Sequence, residues 1–141
     1  MNKQQSAYAS NVPGGISNGY QVHGLYSAIQ TASPYQLINL LFDGALRQLT
    51  SAQFAMQQNK IPEKSQAITK ALNIFDGLRS ALNMDEGGQI AENLDNLYDY
   101  MQRQLIQANL KNEVSLIEEV ISLLREVKAG WEAISEENQV A

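Results

Sequence analysis

The sequence predicts an all-α fold, an antiparallel four-helix bundle preceded by an N-terminal arm, and three observations predict it. After Pro62 the last 79 residues contain no proline and are rich in Leu, Ala, Gln and Glu, all good helix formers except when isolated from a core. Apolar residues recur at alternating steps of three and four along four separate stretches, the mark of one buried helical face. The breaks between those stretches are short, which makes consecutive helices antiparallel neighbours. A chain of 141 residues, 44% of them apolar, is long enough to bury one ordinary core.

The arm, residues 1–32, holds four of the nine glycines and Pro13, which interrupt regular structure. It carries a single charged side chain, Lys3, so the other 24 charges fall after residue 33. Yet Tyr8, Val12, Ile16, Tyr20, Val22, Leu25, Tyr26 and Ile29 are more apolar anchors than a disordered tail usually contains. Residues 1–15 read as a frayed terminus and residues 20–32 as a docking segment, with Tyr20, Tyr26 and Ile29 as its anchors. The first helix opens at Ser33-Pro34-Tyr35-Gln36, where Ser33 suits a cap, Pro34 the first helical position and Gln36 the far side of a capping box. Its stripe is Ile38, Phe42, Ala45, Leu49, Ala52 and Met56. After a break at residues 59–62 comes Ile68, Ala71, Phe75, Leu78 and Leu82, and after residues 83–88, with their Gly87-Gly88 pair, Ile90, Leu94, Leu97, Met101, Leu105 and Ala108. A break at residues 109–112 precedes Ile117, Val120, Leu124, Val127, Trp131 and Ile134. The bundle is therefore expected over residues 33–136, with 137–141 as a tail.

Composition removes most chemistry. With no cysteine there is no disulfide framework, thiolate metal site or cysteine nucleophile, and the single histidine, His23, lies in the arm. Di-iron sites in bundles need Glu-x-x-His pairs on two helices, and no histidine falls within the bundle. Asp95 and Asp99 read as a solvated face, Asp99 being four residues before Arg103, and Asp43 before Arg47 reads the same way. Gly87-Gly88 lacks the following Lys and Ser/Thr of a phosphate loop. The expectation is a non-enzyme without metal or cofactor. A net charge of −5 and the lack of a Lys/Arg cluster argue against a nucleic-acid partner. No apolar run is long enough for membrane insertion and no apolar signal core opens the chain, so the expected compartment is the cytoplasm.

What remains is surplus apolar surface. At about 100° per residue, Leu40 falls roughly 190° from the core direction of the first helix, Gly44 about 130° and Leu37 about 110°. Gln48, Ser51 and Ala55 continue this outer strip, and Tyr98, Tyr100 and Ile106 lie off the stripe of the third helix. Gly44 inside a helix costs about 1 kcal/mol relative to Ala, which suits a surface that another helix approaches closely. Leu37, Leu40, Gly44, Gln48, Tyr98 and Tyr100 are therefore the expected partner-binding residues, a helix-in-groove surface with the arm as its resting cover. A self-associating structural bundle, or a cytoplasmic regulator holding a transcription-control factor, would use the same surface.

Several segments together resemble the FliS family, the flagellin-specific secretion chaperones of bacteria. They are Ser33-Pro34-Tyr35-Gln36-Leu37-Ile38, Leu41-Phe42-Asp43-Gly44-Ala45, Ile90-Ala91-Glu92-Asn93-Leu94, Leu97-Tyr98-Asp99-Tyr100-Met101, Ala108-Asn109 and Trp131. Tyr20 is similar to the family's arm tyrosine, whereas Pro13-Gly14-Gly15 and Gly19 make the arm longer than the family pattern. The resemblance implies an antiparallel bundle that binds the C-terminal, polymerisation-competent segment of flagellin in the cytosol. It implies that this blocks premature filament assembly and presents the subunit to an export-gate component.

Overall fold

A computed structural model describes residues 34–140, with side chains through Ile134. Tyr20, Tyr26, Ile29, His23 and the Ser33 cap lie outside the described residues. The chain divides into two compact units, Met1–Leu40 and Leu41–Ala141. Four helices follow one another: α1 (Pro34–Gln57), α2 (Ile61–Ser80), α3 (Met84–Lys111) and α4 (Val114–Val140). The described residues contain no strand. Helix α1 begins at Pro34, where the proline signal places it, and α4 stays helical to Val140, through residues expected as tail.

Two of the three turns use the same device. Asn59 after α1 and Asn112 after α3 take left-handed backbone, with φ of 59° and 56°. Beyond each, an amide reaches back five residues: Lys60 N–H donates to the Ala55 carbonyl at 2.8 Å, and Glu113 N–H to that of Ala108 at 3.2 Å. These are Schellman closures, and asparagine is the residue after glycine that best tolerates the left-handed position. Pro62 occupies the start of α2, where no amide is required. Asn83 caps α3, its side-chain oxygen accepting from Glu86 N–H at 3.0 Å.

Within residues 41–141 the helices form an up-down bundle. Gly77 of α2 lies against Leu41 of α1, where a Cβ would meet Leu41 Cδ2 at 3.5 Å. On its other flank α1 meets α4, Gln53 donating to Glu118 at 3.0 Å and Lys128 pairing with Asp43 at 2.9 Å. Those two pairs run in opposite chain directions, so α1 and α4 are antiparallel. The stripes supply the core: Phe42, Leu49, Ile68, Phe75, Leu78, Met101, Leu105, Ile117, Val120 and Leu124 are among its fully buried side chains.

Each helix is nevertheless buried over a wider or rotated arc than its stripe. On α1, Leu41, Gly44, Gln48 and Ala55 join the buried set. The arc from Gly44 to Phe42 spans roughly 160°, because α1 is flanked on both sides, by α2 and by α4. On α3 the buried residues are Ala91, Tyr98, Met101, Leu105 and Ala108, a direction roughly 35° from the stripe's mean and turned toward α2. Tyr98 comes inside and packs against Phe75, ring centroids 6.0 Å apart at 59°. Ile90, a stripe residue, is instead 73% exposed, and Ile134 at the end of the fourth stripe is exposed as well.

Among the described residues one buried side chain is charged. Lys64 is only 4% exposed, and its Nζ donates to the Asn109 carbonyl at 3.0 Å and to Asn112 Oδ1 at 3.2 Å. A cation thus closes the C-terminus of α3, where unpaired carbonyls and the helix dipole favour positive charge. Ser65 adds a bond from its hydroxyl to Asn109 Oδ1 at 3.2 Å. Lys64→Met keeps the apolar stem and removes this cap, so urea unfolding at neutral pH is expected to show a loss of about 1–3 kcal/mol. The exposed neighbour change Lys60→Met should lie within about 0.5 kcal/mol of the parent.

Candidate functional site

The α2–α3 seam is closed by a polar network centred on Arg79. Its guanidinium grips Asp95 with two bonds, Nε at 2.7 Å and Nη2 at 3.1 Å, the fork geometry a carboxylate matches. Its Nη1 reaches Gln102 at 2.9 Å and Asp99 at 3.3 Å. The Gln102 amide donates onward to the Leu72 carbonyl at 3.1 Å and to Asp76 at 2.8 Å. Asp99 also takes Arg103 at 3.0 Å, the expected one-turn pair. Asp95 is therefore not merely solvated, and Asp43 pairs across to Lys128 rather than with Arg47. Among the described residues no cluster of three or more His, Asp or Glu is placed to hold a metal ion.

The α3–α4 seam is joined at Glu119, which accepts from the Tyr100 hydroxyl at 2.7 Å and from the Gln104 amide at 3.0 Å. Between α1 and α4 lies an open groove of about 540 Å³, lined by Thr50, Gln53, Glu118, Ile121, Ser122 and Arg125 among others. Ile121 is its one large apolar residue, and none of Leu37, Leu40, Gly44 or Gln48 lines it, so it is not the groove expected on α1.

The expected partner-binding residues divide. Leu37 and Leu40, in the unit of residues 1–40, are half-buried, and so is Tyr100 in the bundle. Gly44, Gln48 and Tyr98 are buried, which corrects their reading as outward-facing. Tyr98 enters the core with the rotation of α3, beside Phe75. The strip of α1 that does face outward carries Arg47, Thr50, Ser51 and Phe54, the last 58% exposed with Lys60 Nζ 6.0 Å from its ring centre. Sequence periodicity located Ile106, which is exposed, but missed Phe54 and Leu110, 75% exposed one turn further along α3. Opposition to the stripe is the signal that finds Phe54, about 180° around the helix from Ala45 and about 140° from Leu49.

Together these features define a helical binding scaffold: a bundle pinned by polar seams, with large apolar side chains left in solvent. The flagellar protein FliS family model matches residues 16–138, and the chain belongs to that family. It is 47% identical to the flagellar secretion chaperone FliSB of Pseudomonas aeruginosa, over 82% of this chain and 92% of that one. It is 48% identical to the flagellar secretion chaperone FliS of Salmonella typhimurium, over 77% of this chain and 82% of that one. The Vibrio cholerae flagellar secretion chaperone FliS is 42% identical, over 87% and 90% of the two chains.

The seams make stability depend on pH at both ends. The Arg79 hydrogen bond holds the Asp95 carboxyl below its ordinary value, and the Tyr100 hydroxyl followed by the Gln104 amide does the same for Glu119, burial opposing both. A depressed carboxylate adds stability that is present above its unfolded value and lost as pH falls through the folded one. Burial pushes the Tyr98 hydroxyl up to about 12, and Tyr100 is raised by the hydrogen bond that its own hydroxyl donates to Glu119. A raised phenol adds stability that is present below its unfolded value, about 10, and lost as pH rises toward the folded one. The melting temperature is expected to be level near neutrality, to fall below about pH 4 and to fall again above about pH 10. Asp95→Asn should start lower at pH 7 and lose less on acidification, and Tyr98→Phe should flatten the alkaline limb.

Proposed function

We propose that this chain is a cytoplasmic flagellar secretion chaperone, not an enzyme. In this reading it binds the C-terminal segment of flagellin, prevents premature polymerisation and passes the subunit to an export-gate component. The observation that carries the reading is membership of the FliS family over residues 16–138, with relatives named flagellar secretion chaperones. The exposed apolar side chains on a pinned bundle support it, since such surface fits amphipathic helices that fold as they dock. No helix among the described residues is long and apolar enough to cross a membrane, which agrees with a chaperone that meets its client before export. No cofactor enters this mechanism.

Leu37, Leu40 and Tyr100 are the client contacts within reach of solvent. Gly44, Gln48 and Tyr98 meet a client only where the helices part. The arm, through Tyr20, Tyr26 and Ile29, is the resting cover of the client surface, and its lack of charge lets it cover apolar surface without burying ions.

Calorimetry with the C-terminal segment of flagellin tests this reading. Binding to the native chain is expected, with a negative heat-capacity change from apolar burial. Leu40→Asp should weaken it about 10–100-fold, the worth of one buried leucine, with the melting temperature nearly unchanged. No binding by the native chain would refute the client. A sharp fall in melting temperature would instead make Leu40 part of a core.

A further inference from the structure

The N-terminal end of α3 is broken at a single residue. Gly88 has φ 52° and ψ −127°, a conformation outside the reach of L side chains, and it separates the turn of residues 84–87 from the helix that resumes at Gln89. The turn is closed locally by the Asn83 cap, and the Gly88 Cα has open space around it, so nothing crowds the pivot. Gly87 comes so near Ala91 that a Cβ would lie 2.7 Å from the Ala91 Cβ, so both glycines are needed for the bend.

Ile90 follows the pivot and is the anomaly of α3. It stands 18 residues, about five full turns, before Ala108, so the two share one angular position. Ala108 is fully buried while Ile90 is 73% exposed. Ala91, the neighbour of Ile90, is buried, so the exposure belongs to the direction in which Ile90 points as well as to its height on α3. Arg79, in the last turn of α2, pairs with Asp95, so Ile90 lies about 7 Å beyond the end of α2. On the other side of the pivot Met84 is also exposed, at 48%. Two large apolar side chains therefore flank a glycine hinge at the uncovered end of an otherwise filled core.

We propose that residues 83–87 are a hinged flap that pivots at Gly88 and closes on a bound apolar helix, with Met84 and Ile90 as its two jaws. What closes the flap rests on the client reading above; the hinge itself does not. The Arg79–Asp95 grip just below it keeps the α2–α3 register fixed while the flap moves.

The chain has no cysteine, so spin labels can be placed without removing any residue of the core. Asp85→Cys on the flap and Asn73→Cys on α2 are both exposed, and Met84 is left in place. Pulsed electron–electron resonance on the full-length chain reads the distance between them. A broad or two-peaked distribution is expected for the free protein, narrowing and shifting by about 5 Å or more, the pitch of one helical turn, when the flagellin C-terminal segment is added. Gly88→Ala, which removes the pivot's conformation, should give one narrow distance that client does not change, with unaltered helix content by circular dichroism. Met84→Ser should weaken client binding several-fold while leaving the free distribution as it was. A single narrow distance in the native chain, equal to that of Gly88→Ala and insensitive to a client that calorimetry shows to be bound, overturns the flap and leaves the chaperone reading standing. If the segment does not bind at all, the chaperone reading fails, and the native distribution against that of Gly88→Ala decides the hinge alone.

Discussion

Helix α2 commits two cations to α3, one at each end, and the placement of the rest of the bundle follows from that. Near its start Lys64 closes the C-terminus of α3, and in its last turn Arg79 forks onto Asp95. Between these pins lies the Phe75–Tyr98 ring contact. A slip of one residue would turn every α3 side chain by about 100° and would pull Asn109 from Lys64, Asp95 from Arg79 and Tyr98 from Phe75 together. Apolar packing alone is tolerant only of slips that keep the stripe facing the core, of about seven residues, because one apolar residue then replaces another. Charge-assisted bonds with fixed fork geometry are not tolerant even of these, so they select the register that the core then fills.

That division explains what could be read from the sequence. The four helices were legible because a 3-4 apolar repeat reports one buried face, and their ends because Pro34, Asn59, Pro62 and Asn112 are specific to helix boundaries. Arg79 and Asp95 are 16 residues apart on different helices, so no local spacing announces them, and the same is true of Lys128 and Asp43. Lys64 reads as an ordinary solvated lysine until the end of α3 is brought beside it. Pairing rules along one helix find Asp99–Arg103, which is present, and are silent about the bonds between helices.

The candidate site was less legible than the fold for a related reason. A helical wheel opposes one core direction to one solvent direction, but a bundle helix has two neighbours. Gly44 and Gln48 are buried although they lie off the stripe of α1, and Tyr98 enters with the turn of α3, whereas Leu37, Leu40 and Tyr100 stay half-buried. Phe54, Ile106 and Leu110 remain in water. They do not form one contiguous groove on one helix. A client that met them would have to follow the bundle around more than one face, which suits a long, initially disordered segment better than a single preformed helix.

The two ends of α3 then differ in kind. At the C-terminal end every device closes the structure: Lys64 and the Asn112 and Glu113 amides bond its last carbonyls, and Ser65 bonds the Asn109 side chain. At the N-terminal end Gly88 opens it, and Ile90 continues the core stripe past the last turn of α2 into solvent. An isoleucine left outside forgoes about 1.5–3 kcal/mol that full burial would contribute. A bundle held only by its apolar layers would lose cooperativity at such an end. Here Arg79 terminates α2 by gripping Asp95 one turn below the exposed stripe, so the loose end stops at a polar pin and the layers beneath it remain filled. The stability withheld at Ile90 is then free energy that a docking helix can recover, and the pin keeps its recovery from being coupled to the folding of the rest.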